Sequence, residues 1–225
     1  MEKRDEFRIA VTGGGEVSAL LVRPERARWM LALGHGAGAG MRHPFLENLA
    51  VQLAGAGFAT LRYQFPYMEK KSGRPDKPEL LTATVAAAVQ AAMKREPRLP
   101  LLAGGKSMGG RMTSQAAAKG EIDEARGLVF FGFPLHPPGQ PGTKRAEHLA
   151  EVKAPMLFLQ GTRDEFAEMK LLKPVVNSLG KRARLHVIEG ADHSFHVLKR
   201  SGRTDIEVMR ELVETTAQWA EAVAE

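Results

Sequence analysis

Six short apolar runs recur along the chain, at Trp29–Leu33, Ala59–Tyr63, Leu99–Ala103, Leu128–Phe131, Met156–Leu159 and Leu185–Ile188. Segments with helical spacing of apolar residues lie between them, at Phe45–Ala54, Leu80–Arg95, Met108–Ala118 and Met169–Leu179. Runs this short and this uniformly apolar fit strands buried on both faces of a parallel sheet, and parallel strands need a crossover, usually a helix. The pattern predicts an α/β fold with a doubly wound, mostly parallel sheet flanked by helices. Ahead of it, Phe7–Val11 and Val17–Val22, separated by Thr12-Gly13-Gly14-Gly15, are expected to form a hairpin. At the far end, Thr204 and Glu207 have the spacing of a capping box. Met209, Leu212, Val213, Thr216, Trp219, Ala220 and Val223 then form one face of a helix expected to pack on the sheet.

The 225 residues suit one domain spanning 1–225, with no internal repeat. The Pro/Gly-rich stretch Phe133–Gly142 follows a strand and is read as a loop at the strand C-terminal edge, where open α/β sheets hold ligands. The net charge is +6, but Lys and Arg are interspersed with acids. The one basic cluster, Lys70, Lys71, Arg74 and Lys77, lacks interleaved aromatics, so nucleic acid is not an expected partner. The charged segment Met1–Ala10 has no secretory apolar core, and the longest apolar stretch, Val85–Met93, is too short to span a bilayer. A cytoplasmic protein without membrane association is the expectation. The absence of cysteine excludes disulfides, thiolate metal ligands and a thiol nucleophile, and no cofactor or metal is expected.

Gly105-Lys106-Ser107-Met108-Gly109 matches Gly-x-Ser-x-Gly between an apolar run and a helical segment. A serine on a sharp strand-to-helix turn needs glycines on either side so that neighbouring backbone can approach. A Walker A loop is excluded, because its first glycine would fall at Pro100 or Leu99. An acyl-transfer serine also needs backbone donors for the developing oxyanion. The N–H groups of Met108, at the start of the helix, and of Ala37, in Gly34-His35-Gly36-Ala37-Gly38-Ala39-Gly40, are the expected pair. The glycines of that second loop lack the dinucleotide-binding spacing.

Serine becomes nucleophilic only when a base takes its proton, and the base needs an acid to hold its tautomer. His193 and Asp164 each follow an apolar run, in Gly190-Ala191-Asp192-His193 and Gly161-Thr162-Arg163-Asp164, so Ser107, Asp164 and His193 are the expected triad. The rivals lose on placement. His186 lies within a strand, His43 opens a helix, His148 falls in a surface helix, and His35 orders the glycine loop. Asp192 adjoins His193, where consecutive side chains rarely face each other, and Glu165 begins the next helix.

With these motifs in hand, the chain resembles the α/β-hydrolase superfamily over essentially its whole length. The segments LGHGAGAGMRHPF, LRYQFPYMEKKSGRPD, GGKSMGGRM, FPLHPPGQPG, LQGTRDEF and GADHSF make it similar to a small, lidless bacterial group. That group is related to dienelactone-hydrolase-like proteins, to a testis-expressed eukaryotic protein and to a scaffold subunit of the nonspecific-lethal complex. The resemblance implies the same triad and oxyanion residues. It implies a serine esterase acting on a small ester or acyl substrate, or alternatively a catalytically weak scaffold on the same fold. Dienelactone hydrolases place cysteine where this chain has Ser107, which argues against dienelactone as substrate. Too little chain lies between Phe131 and Pro155 for a large cap, so the pocket is expected to be shallow. Its expected walls are Phe65, Pro66, Tyr67, Phe133, Leu135, Phe166 and Phe195, with His136 either lining it or fixing the proline-rich loop.

Overall fold

The computed structural model describes residues 3–224. Eight strands form one sheet: β1 (Lys3–Val11), β2 (Gly15–Arg23), β3 (Trp29–Gly34), β4 (Phe58–Tyr63), β5 (Leu101–Lys106), β6 (Gly127–Phe131), β7 (Met156–Gly161) and β8 (Ala183–Ile188). Their spatial order is β1-β2-β4-β3-β5-β6-β7-β8. β1 pairs antiparallel with β2, and β2 with β4, while every pairing from β4 through β8 is parallel. The expected hairpin is present, with its tight turn closed by Gly14 N–H donating to Val11 O.

Six α-helices connect or flank the strands: α1 (Pro44–Gly55), α2 (Pro66–Glu69), α3 (Pro78–Arg95), α4 (Met108–Ala118), α5 (Met169–Ser178) and α6 (Asp205–Ala224). α1 and α6 cover one face of the sheet around Leu31, Leu102, Val129 and Leu157. α3, α4 and α5 cover the other around Met30, Ala103, Phe130 and Phe158. Successive strand residues thus feed opposite cores, which is why the central runs are apolar at every position. α6 begins as expected: Thr204 N–H donates to Glu207 Oε2 at 2.7 Å and Glu207 N–H to Thr204 Oγ1 at 3.3 Å. Its Met209, Leu212, Val213, Thr216, Trp219 and Ala220 are buried. Among the described residues no helix is long and apolar enough to cross a membrane.

The topology also fixes where a ligand can sit. After β3 the chain moves to β4 on one side, and β5 then returns to the other, so the loops leaving β3 and β5 meet at the point where the winding reverses. No large cap covers that edge. Between β6 and β7 there is only a loop and the 3-10 helix Lys144–Glu151. His148, expected in a surface helix, lies half-buried in this 3-10 helix, where Nε2 meets Ser114 Oγ at 2.7 Å. The four-residue helix α2 has no expected counterpart.

Candidate active site

β5 runs into a sharp turn at Ser107, whose backbone adopts φ 52° and ψ −118° before α4 starts at Met108. A side chain at positive φ costs of order 1 kcal/mol or more, so the surroundings must hold it. Ser107 N–H donates to Phe131 O at 3.1 Å, and Arg111 N–H donates to Ser107 O at 3.1 Å. The glycines act through space. A Cβ on Gly105 would stand 2.5 Å from Gly34 O, and one on Gly109 2.4 Å from the same atom, so any larger residue would push β5 and α4 off β3.

His193 arrives on the loop after β8 and Asp164 on the loop after β7. His193 Nε2 lies 2.9 Å from Ser107 Oγ, and Nδ1 lies 2.7 Å from Asp164 Oδ2. Asp164 is buried, and its carboxylate also accepts from Gln160 Nε2 at 2.5 Å and from Phe166 N–H at 2.8 Å. An ionised carboxylate accepts only, so Nδ1 carries the proton and Nε2 is left to accept from the serine hydroxyl. The Phe166 ring stacks on the imidazole with centroids 4.2 Å apart. Gly132, at φ 71°, passes close enough that a Cβ there would lie 3.5 Å from both Asp164 Oδ2 and His193 Nδ1.

Asp192 points elsewhere. Its Oδ1 accepts from Ser194 N–H at 2.8 Å and His196 N–H at 3.0 Å, closing the turn that carries His193. Glu165 is exposed. The remaining histidines have local partners as well: His186 meets Glu211, and His196 meets Asp205.

The loop after β3 is tied down from below by the segment after β4. His35 is buried. Its Nδ1 donates to Gly36 O at 2.7 Å and its Nε2 accepts from Phe65 N–H at 3.2 Å, while burial pushes the imidazole down to about 4. Gly38 N–H donates to the Tyr67 hydroxyl at 2.9 Å, and Met41 N–H to Gln64 Oε1 at 2.8 Å. These bonds leave Ala37 exposed, beside Ser107 and Met108 in one cleft.

Two connected clefts flank Ser107. One, about 320 Å³, is lined by His193, Lys106, His43, Phe45 and Phe166. The other, about 300 Å³, is lined by Met108, Arg111, Arg145, Pro134 and Phe166. Both lie at the small end of the range for ligand pockets. In the first, burial pushes the Lys106 ammonium down to about 8, against the opposing pull of Asp164 and Asp192, and its Nζ stands 5.5 Å above the Phe195 ring.

The expected pocket walls need correction. Phe65, Pro66, Tyr67, Phe133 and Leu135 are buried and line neither cleft, because the chain turns them inward: Phe65 packs on Tyr63 and His35, and Phe133 on Phe130 and Phe158. Phe195 is buried too, stacked on Phe45. His136 fixes the proline-rich loop: Nδ1 meets Pro137 O at 2.9 Å and Nε2 accepts from Glu168 N–H at 3.4 Å. Of the expected walls only Phe166 faces the clefts, together with Phe45 and His43, which also caps α1. Gln160 escaped the sequence reading, although a polar side chain closing the apolar run Met156–Leu159 was the available signal. Among the described residues no group of three His, Asp or Glu could hold a metal ion.

The α/β hydrolase domain model matches residues 27–221. A Mycobacterium tuberculosis H37Rv protein provisionally named a phosphoribosyl transferase is 29% identical over 196 residues, covering 85% of this chain but 42% of that protein; the chain thus spans under half of that relative's length. Dienelactone hydrolase from Anabaena variabilis superposes with a TM-score of 0.76 at 21% identity, covering 97% of this chain and 96% of that one. A serine hydrolase without a lid from Xanthomonas campestris gives 0.76 at 18%, covering 96% and 95%. A serine hydrolase homologue from Coxiella burnetii gives 0.75 at 22%, covering 94% and 96%. At these identities the structural likeness is one of fold, and the family match over residues 27–221 carries the assignment: the chain belongs to the α/β hydrolase domain family.

Proposed function

We propose that this protein is a serine hydrolase that cleaves a carboxylic ester or related acyl bond of a small substrate. Ser107 is the nucleophile, His193 the general base and then the general acid, and Asp164 the group that holds the imidazole. The observation that carries the reading is the unbroken line from Ser107 Oγ through His193 to Asp164, at 2.9 and 2.7 Å, on a serine held at positive φ. A scaffold has no use for backbone strain at a half-buried hydroxyl that lines a cleft, which favours catalysis over the interaction-module alternative.

In the proposed mechanism His193 Nε2 takes the Ser107 proton as Oγ attacks the acyl carbon. The N–H groups of Ala37 and Met108 receive the oxyanion, and the imidazolium is stabilised by Asp164. Collapse returns the proton to the leaving group, and water repeats the cycle on the acyl-enzyme. The phosphoribosyl transferase name of the mycobacterial protein belongs to a chain more than twice as long as the matched region. The test is hydrolysis of short 4-nitrophenyl esters by wild type and Ser107→Ala. The variant should lose at least about a thousandfold in kcat while staying folded, and activity within tenfold of wild type would overturn the assignment.

A further inference from the structure

Arg111 and Arg145 lie in the cleft on the Met108 side of Ser107. Arg111 sits in the first turn of α4, its N–H bonded to Ser107 O at 3.1 Å, and Arg145 comes from the 3-10 helix Lys144–Glu151. The buried Arg111 Nε has no hydrogen-bond partner. Among the described residues, the charge acting on Arg111 is Arg145, which repels it; burial lowers both guanidiniums from their ordinary value, and no described carboxylate offsets that on either. The cleft does hold one carboxylate, Asp76, but its Oδ2 is occupied by Tyr67 N–H at 2.7 Å. His148, packed near Arg111, is pushed by burial down to about 4 and adds no charge near neutrality. Two half-buried arginines without a counter-ion are costly unless an anion completes them, and the planar guanidinium fork matches a carboxylate.

The chemistry fixes which part of the substrate enters this cleft. His193 must hand its proton to the leaving group, so the leaving group lies in the cleft lined by His193. The acyl group then runs the other way, past Met108 toward Arg111. The clefts share Ala37, Ser107 and Phe166, as expected where the reacting carbon sits. Two arginines against Asp76 leave one net positive charge, which suits a monoanion better than a dianion.

We infer that Arg111 and Arg145 form a specificity subsite for an acyl group that ends in a carboxylate. This rests on the hydrolase reading above and sharpens it: the natural substrate is a half-ester or half-thioester of a short dicarboxylic acid. Arg111 lies three residues into α4 from Met108, about 5 Å of helix rise, which keeps the diacid short.

The test compares mono-4-nitrophenyl adipate with 4-nitrophenyl hexanoate, after subtracting uncatalysed hydrolysis, in wild type, Arg111→Gln and Arg145→Gln. Wild type should favour the adipate by about tenfold or more in kcat/KM. Each variant should lose at least about tenfold on the adipate, mainly in KM, while staying within about threefold on the hexanoate. No adipate preference in wild type, or equal losses on both esters, would overturn the subsite. Binding of monomethyl adipate to Ser107→Ala, with and without Arg145→Gln, separates the two readings. Binding that depends on Arg145 in a protein that hydrolyses neither ester would sink the hydrolase and keep the subsite. Absent or Arg145-independent binding would sink the subsite.

Discussion

Nδ1 of His193 lies 2.7 Å from Oδ2 of Asp164, a residue 29 positions away, whereas the adjacent Asp192 spends its carboxylate on the N–H groups of Ser194 and His196. Neighbours in sequence are directed apart, and the distant loops after β7 and β8 are brought together by their parallel pairing.

That arrangement predicts opposite outcomes for two conservative changes. Asp164→Asn keeps the size but removes the charge that fixes the Nδ1–H tautomer and supports the imidazolium, so kcat should fall by about a hundredfold or more. Asp192→Asn keeps an oxygen that can accept the same two N–H bonds, and kcat should stay within about threefold. Steady-state kinetics with circular dichroism on both variants checks this. A larger loss from Asp192→Asn would reassign the acid.

Tyr67 supplies a second prediction. Its hydroxyl accepts the Gly38 N–H from beneath the loop that carries Ala37. Tyr67→Phe should loosen that loop and lower kcat by about fivefold or more with little change in KM, because the interaction it supports is made in the transition state. Unchanged kcat would show that Ala37 is positioned without Tyr67.

Much of this was legible because the signals are local. The Ser107 turn announces itself through Gly105 and Gly109, whose missing Cβ atoms answer to Gly34 O, and α6 through Thr204 and Glu207. The sheet was legible because both of its faces are buried, which makes the central runs apolar throughout. The cleft walls were not. An aromatic in a strand-end loop reads the same whether it faces ligand or core, and Phe65, Tyr67 and Phe133 face the core. Four residues are too few for a helical period, which hid α2. Arg145 reaches Arg111 only through the tertiary fold, so no spacing in the sequence marked the pair.

His35 predicts a dependence of stability on pH. Burial lowers its folded pKa to about 4, below the ordinary 6.5, so on acidification the unfolded chain takes up the proton first. The folded state is therefore favoured above about pH 6.5 and loses ground as pH falls toward 4, at up to about 1.4 kcal/mol per pH unit. His148, also pushed down to about 4, acts with the same sign. Urea unfolding at pH 7.5 and pH 5 should show the loss, and His148→Gln should lessen it. His196, raised by Asp205, acts with the opposite sign, so the comparison is made in His196→Gln, where equal stability at both pH values would contradict the burial of neutral His35 and His148.

If Ser107 is an activated nucleophile, a fluorophosphonate should label it covalently, and peptide mass mapping reads out where the label sits. One adduct per chain is predicted, on the peptide containing Ser107. It should be absent in Ser107→Ala, which has no hydroxyl, and strongly slowed in Asp164→Asn, which leaves the hydroxyl without an activated His193. A folded wild-type protein that takes no label, or that takes it on another residue as readily after Ser107→Ala, would contradict the account.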